Sequence, residues 1–125
     1  MLNDAKVMPT IPVVDLDRAR RFYEGTLGLR PTGPPSPGGI MYECGDSTRL
    51  FLYPRAPTKA DHTVASFVVE NLEQAVASLR ARGIVFEEYD FPGLKTVDGI
   101  ANLGNEKAAW FKDTEGNVLA VSQFL

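Results

Sequence analysis

The sequence predicts an α+β fold built from two βαβββ modules in tandem, and three observations carry that prediction. The first is an internal repeat. Met8–Ala19 aligns without a gap on Val64–Ala75, at an offset of 56 residues. Ile11 then matches Phe67, Val13 matches Val69, Asp15 matches Asn71, Leu16 matches Leu72 and Ala19 matches Ala75. The second is that both copies read as a strand, a polar turn and an amphipathic helix. The third is that both halves close alike, on two strands joined by a turn.

The elements follow in order. The first helix is predicted over roughly Arg18 to Leu27, with Asp17 as N-cap, because its carboxylate can accept free amides of the first turn. Ala19, Phe22, Tyr23 and Leu27 make one apolar face, and Gly28 can take the left-handed conformation that ends a helix. A short strand follows near Leu29 to Thr32. Pro31 to Gly39 holds four prolines and three glycines, so it is neither helix nor central strand. Ile40–Cys44 and Thr48–Tyr53 are strands around the turn Gly45-Asp46-Ser47. Pro54 to Asp61 links the halves.

In the second half, the helix is predicted over roughly Leu72 to Arg82. Asn71 and Gln74 resemble a capping box, and Gly83 is the stop. A short strand is expected near Val85 to Glu88. Asp90 to Glu106 is expected as a long loop, of the kind that often serves as a lid or binding loop. Lys107–Lys112 and Asn117–Gln123 are strands joined by Asp113-Thr114-Glu115-Gly116, which has Asp first and Gly last, as a tight turn prefers.

The chain has 125 residues, which fits a single domain over 1–125. Module one is expected over about 5–57 and module two over about 60–125. A half of that size buries little core alone, so the link between them is a module boundary. With 44% hydrophobic and 23% charged residues, the composition excludes disorder as the main state. No apolar run approaches the roughly 20 residues of a membrane helix. The first residues lack the apolar core of a signal peptide, and a cytoplasmic protein with no membrane partner is expected.

Thirteen basic against sixteen acidic residues give a net charge of −3, without a basic run. Arg18, Arg20 and Arg21 come nearest to a cluster, and Arg18 and Arg21 read as a solvated helix face, so nucleic acid is not an expected partner. Cys44 is the only cysteine, which excludes an intrachain disulfide and a cysteine metal cluster. It reads as a buried, inert thiol.

The Val14-Asp15-Leu16-Asp17 turn, Phe22-Tyr23, Leu27-Gly28-Leu29 and Asp113-Thr114-Glu115-Gly116-Asn117 together resemble the vicinal oxygen chelate superfamily. That group includes glyoxalase I, extradiol dioxygenases, fosfomycin-resistance enzymes and bleomycin-resistance proteins. The resemblance covers nearly the whole chain. It implies paired modules forming a curled mixed sheet around a cavity, often in a dimer. It also implies a metal held by four side chains, one from the first and one from the last strand of each module, as His, Glu or Gln. Carried over, those positions are Met8, Phe51, Val64 and Ala120. None offers the nitrogen or oxygen donor that a hard or borderline cation needs. The expectation is therefore no metal and no cofactor. His62 lies two residues before Val64 on the same strand face, and Glu43 is the nearest acid in module one.

Strand alternation nominates a ligand face. Met8, Thr10 and Pro12 share one side, as do His62, Val64, Ser66 and Val68, and Val118, Ala120 and Ser122. Phe51 and Tyr53 continue the first module's share. Tyr42 and Trp110 are taken as equivalent by the repeat. Asp98, in the long loop, is a turn former or a polar ligand contact. The candidate ligand-binding residues are thus Met8, Thr10, Tyr42, Phe51, Tyr53, Val64, Ser66, Asp98, Trp110 and Ala120, which suit a flat or hydrophobic small molecule. No Ser-His-Asp set and no phosphate-cradling glycine motif is present, and no catalytic residue is assigned. Three readings stay open. One is a metal-independent small-molecule binder of the bleomycin-resistance type. Another is a glyoxalase- or dioxygenase-like metalloenzyme with an atypical metal site. The last is an interaction domain with its interior filled. A homodimer is expected, because each module leaves strand edges to cover and the chain ends on the apolar pair Phe124-Leu125.

Overall fold

The computed structural model describes residues 1–125. The chain forms two compact units, Met1–Lys59 and Ala60–Leu125, each an α+β module with one mixed sheet.

The first unit runs β1 (Thr10–Val13), α1 (Leu16–Arg20), a π-helical segment (Arg21–Thr26), β2 (Arg30–Pro31), β3 (Ile40–Glu43) and β4 (Arg49–Pro54). Its sheet order is β1-β4-β3-β2. β1 and β4 are parallel, and the other neighbours are antiparallel. Burial alternates as the pleat requires. Ile11, Val13, Ile40, Tyr42, Leu50 and Leu52 are buried with Ala19 and Tyr23 of the helical segment. Each large side chain so buried contributes roughly 1.5–3 kcal/mol.

The helix cap is Asp15 rather than Asp17. Asp15 is extended (φ −122°), and its Oδ1 accepts the Arg18 amide at 3.0 Å. Asp17 lies inside the first turn, where its charge favours the helix N-terminus. From Arg21 onward the helix widens. The Leu27 amide donates to the Phe22 carbonyl, five residues back, at 3.0 Å, and Gly28 (φ 77°) ends the segment as expected.

The second unit runs β5 (Thr63–Val68), α2 (Leu72–Ala81), β6 (Asp90–Phe91), β7 (Leu94–Val97), β8 (Ile100–Asn102), β9 (Glu106–Lys112) and β10 (Val118–Phe124). Its sheet order is β5-β10-β9-β8-β7-β6, with β5 parallel to β10. Helix α2 is capped by Asn71, whose Oδ1 accepts the Gln74 amide at 3.1 Å. The Leu72 amide donates to Gln123 Oε1 on β10 at 2.9 Å, and Glu73 pairs with Lys107 on β9 at 2.7 Å. These contacts fix which face of the sheet α2 covers. On it lie Phe67, Ala109, Phe111, Leu119 and Val121, by their register with one another.

Two expectations for this unit are corrected. Val85–Glu88 is not a strand. It makes one bridge, Phe86 to Phe111, because the rest of that edge of β9 is taken by β8, where Ala101 pairs with Ala108. Asp90–Glu106 is not a free loop but carries β6, β7 and β8. The β7–β8 turn has two residues, Asp98 (φ 52°) and Gly99 (φ 80°). Positive φ at both centres matches the right-handed twist of a hairpin, and Asp-Gly is the pair that tolerates it. The turn is tied down, since Arg80 Nη2 donates to the Asp98 carbonyl at 2.6 Å and its guanidinium lies over the Phe86 ring. No helix is long and apolar enough to cross a membrane.

Candidate functional site

In each unit the candidate residues, Tyr42 and Asp98 apart, lie on the sheet face opposite the helix. In the first unit, Thr10 pairs with Phe51 and Phe51 with Met41, while Pro12 pairs with Tyr53. Partners in register share a face. Thr10, Pro12, Met41, Phe51 and Tyr53 therefore form one surface, with none of them buried. Met8 precedes β1 on the same alternation and is half-buried. Arg49 and Glu43 continue this face, paired across β4 and β3.

In the second unit, one row crosses three strands. Trp110 on β9 pairs with Ala120 on β10, and Ala120 pairs with Ser66 on β5. Ala120 is buried, Trp110 half-buried and Ser66 exposed. A methyl group thus separates an indole from a hydroxyl. Ser66 and Ser122 share a hydrogen bond of 2.7 Å. Val64 is half-buried and Val68 is 65% exposed on the same face. Tyr89 stands edge-on to Trp110 at 5.5 Å, and Phe91 edge-on to Tyr89 at 5.9 Å. That aromatic extension is absent from the sequence reading, because Tyr89 reaches Trp110 only after the chain has turned back along β9.

Two nominated residues lie elsewhere. Tyr42 is fully buried on the helix side, where its ring stacks on Tyr23 at 6.3 Å. The counterpart of Trp110 is Met41, since both pair with the matching positions Phe51 and Ala120. Taking Tyr42 instead was a one-residue slip, which reverses the face of a strand residue. The offset of 69 that relates Phe51 to Ala120 was the available signal. Asp98 is exposed at the β7–β8 turn, with its carbonyl held by Arg80.

Tyr42 belongs to a polar cluster beneath the sheet. Its hydroxyl donates to Glu24 Oε2 at 2.8 Å, and Arg20 Nε donates to the same oxygen at 2.8 Å. The Arg20 hydrogen bond holds the Glu24 carboxyl below its ordinary value. Burial, and then the Glu24 carboxylate, push the Tyr42 phenol above its own. Burial likewise pushes the Cys44 thiol up, which suits an inert thiol. His62 is exposed, just before β5.

A metal does not fit the four family positions. A thioether, a phenyl ring, an isopropyl group and a methyl group stand at Met8, Phe51, Val64 and Ala120, and none is a donor for a hard or borderline divalent cation. No three His, Cys, Asp or Glu side chains gather elsewhere in a way that could hold one.

Two tandem modules with a helix on one sheet face and an apolar, aromatic opposite face define a small α+β protein of repeated-module type. The family described as Glyoxalase/Bleomycin resistance protein/Dioxygenase superfamily matches residues 7–121, and the chain belongs to it. Among solved structures, the chain is similar to lactoylglutathione lyase from Agrobacterium tumefaciens, at 18% identity and a TM-score of 0.70, covering 98% of this chain and 96% of that one. It is similar to TnmS3, an antibiotic binding protein from Streptomyces sp. CB03234, at 22% identity and a TM-score of 0.68, covering 100% and 99%. A glyoxalase/bleomycin resistance protein from Catenulispora acidiphila DSM 44928 matches at 19% identity and a TM-score of 0.66, covering 96% and 98%. At these identities the likeness establishes the fold alone. No curated protein matches.

Proposed function

We propose that this protein binds a small apolar or aromatic molecule on the helix-free faces of its sheets, without a metal and in the cytoplasm. The observation that carries the reading is the row Trp110–Ala120–Ser66. A flat ring can lie on the Ala120 methyl against the indole, with a hydroxyl at its edge. Planar stacking and apolar contact supply the affinity, and a few polar groups fix orientation. The side chains at Met8, Phe51, Val64 and Ala120 favour a binding role over metal-assisted chemistry. The likeness to an antibiotic binding protein over the whole chain supports the same reading.

The protein acts as a homodimer in this proposal. Phe124 and Leu125 are 61% and 64% exposed, and a partner covering them removes two large apolar side chains from water.

The test is calorimetry with planar aromatic compounds on chelator-treated protein, paired with elemental analysis after incubation with nickel, zinc, iron and manganese. The reading expects saturable binding and no stoichiometric metal. One tightly held metal per chain, lost on substituting His62 or Glu43, selects the metalloenzyme instead.

A further inference from the structure

The sheet of the first unit carries three charged side chains in one row. Arg30 on β2 pairs with Glu43 on β3, and Glu43 pairs with Arg49 on β4. Adjacent strands lie about 4.8 Å apart, so the row spans roughly 10 Å of backbone. Residues in register share a face, and this is the face that also presents Met41 and Phe51. The three side chains line a cleft of about 690 Å³ with Pro31 and Thr32.

Neither arginine is paired with a carboxylate. The Arg30 side chain makes no hydrogen bond or ion pair within the protein, and the Arg49 side chain only approaches the Met41 sulfur, at 3.4 Å. A guanidinium has five N–H donors in a planar fork, and a thioether is a weak acceptor. Most of that donor capacity therefore faces solvent, where a ligand can reach it. Two positive groups against one negative leave this cleft cationic in a chain whose net charge is −3.

We propose that Arg30 and Arg49 clamp an anionic oxygen group, a carboxylate or a phosphate, on a ligand whose apolar body lies along Met41 and Phe51. The clamp rests on the reading of the helix-free faces as ligand surface, and it narrows the ligand class to an amphiphilic organic anion. Guanidinium forks match carboxylate and phosphate oxygens in two parallel hydrogen bonds. Glu43, between the arginines in the row, limits the negative charge that the cleft accepts.

The experiment compares three probes with one ring system: 2-naphthoate, 2-naphthyl phosphate and the neutral 2-acetylnaphthalene. Affinities are measured by calorimetry for the full chain and for Arg30→Gln, Arg49→Gln and Glu43→Gln. These side chains are exposed, so the variants keep the fold. At least one anion should bind about tenfold tighter than the neutral probe, which is one strong charge-assisted contact. Each arginine variant should lose most of that difference with the neutral affinity unchanged, and Glu43→Gln should tighten the anions. The better of the two anions identifies the group. Equal affinity for neutral and anionic probes overturns the clamp while leaving the ligand face standing, and an equal loss for all three probes in the arginine variants overturns it too. If none of the probes binds, the clamp is wrong, and the Trp110 titration below decides the face reading separately.

Discussion

Tyr42 donates a 2.8 Å hydrogen bond to Glu24 Oε2, and so ties β3 to the π-helical segment that follows α1. The tie explains why a tyrosine, not a phenylalanine, stands at a fully buried position: a helix residue supplies the acceptor. Tyr42→Phe should cost about 1.5–3 kcal/mol, the range for a hydrogen bond to a charged group. Chemical denaturation should show a lower midpoint with an unchanged slope.

The same pair sets the pH dependence of the first unit. The Glu24 carboxyl is held down by Arg20 and Tyr42. Its stabilisation is present above the ordinary carboxylate value and is lost as pH falls through the lowered one. Glu24→Gln should flatten that acid limb. The Tyr42 phenol is raised. Its contribution is complete below about pH 10, the ordinary tyrosine value, and is lost as pH climbs from there toward the raised one. Burial and the Glu87 carboxylate raise the Tyr89 phenol as well, so ultraviolet titration should find more than one tyrosine that ionises late, and Tyr42→Phe should remove the latest step.

Asp113 organises the β9–β10 turn. Its Oδ1 accepts the amides of Glu115 and Asn117 at 2.8 Å, and its Oδ2 accepts Asn117 Nδ2 at 2.8 Å. Both Asp113 and Asn117 are buried, so Asp113→Ala leaves donors without partners. A loss of about 2–4 kcal/mol is expected, with Asp113→Asn intermediate. Thermal melting of the two variants checks the order.

Gly39 and Gly83 should respond very differently to alanine. Both have positive φ. A Cβ on Gly39 would fall onto the Leu52 carbonyl, whereas one on Gly83 meets nothing. Gly83→Ala should cost about 1 kcal/mol, the backbone penalty alone. Gly39→Ala should cost about 3 kcal/mol or more, or prevent folding, because a backbone atom cannot rotate aside. Soluble yield and melting temperature distinguish the two.

Assembly is tested by light scattering at micromolar concentration. A homodimer is expected, and a mass near the 13.7 kDa monomer value contradicts it. Removing Phe124 and Leu125 should weaken association if the exposed C-terminus lies in the interface.

What the sequence makes legible depends on the range of the signal. The repeat makes β5 the counterpart of β1 and α2 the counterpart of α1 because both copies share one local pattern, and Asn71 is read as a cap from its own neighbours. The Asp15 cap was missed by two residues because Asp15 and Asp17 are the same residue type, and only the extended backbone at Asp15 separates them. The Asp98-Gly99 hairpin was legible in principle, since Asp-Gly between apolar residues is a turn signal. Gly93, Gly99 and Gly104 make the Asp90–Glu106 stretch read as loop. The helix-free face was legible where alternation suffices, at Thr10, Phe51, Ser66 and Trp110. It failed at Tyr42 by one residue. The Arg30–Glu43–Arg49 row and the Tyr89–Trp110 contact join residues whose meeting depends on strand register, which the local pattern does not specify.

The central claim is that the helix-free face around Trp110 holds a small aromatic molecule without a metal. Trp110 is the only tryptophan, so its emission reports this face unambiguously. The direct measurement titrates chelator-treated protein with planar aromatic compounds and follows that emission. The account predicts a saturable quench or shift that is unchanged when divalent metals are restored. In Trp110→Phe the fluorescence signal should vanish while the fold survives. Absence of saturable binding across the panel, or binding that appears only with metal present, contradicts it.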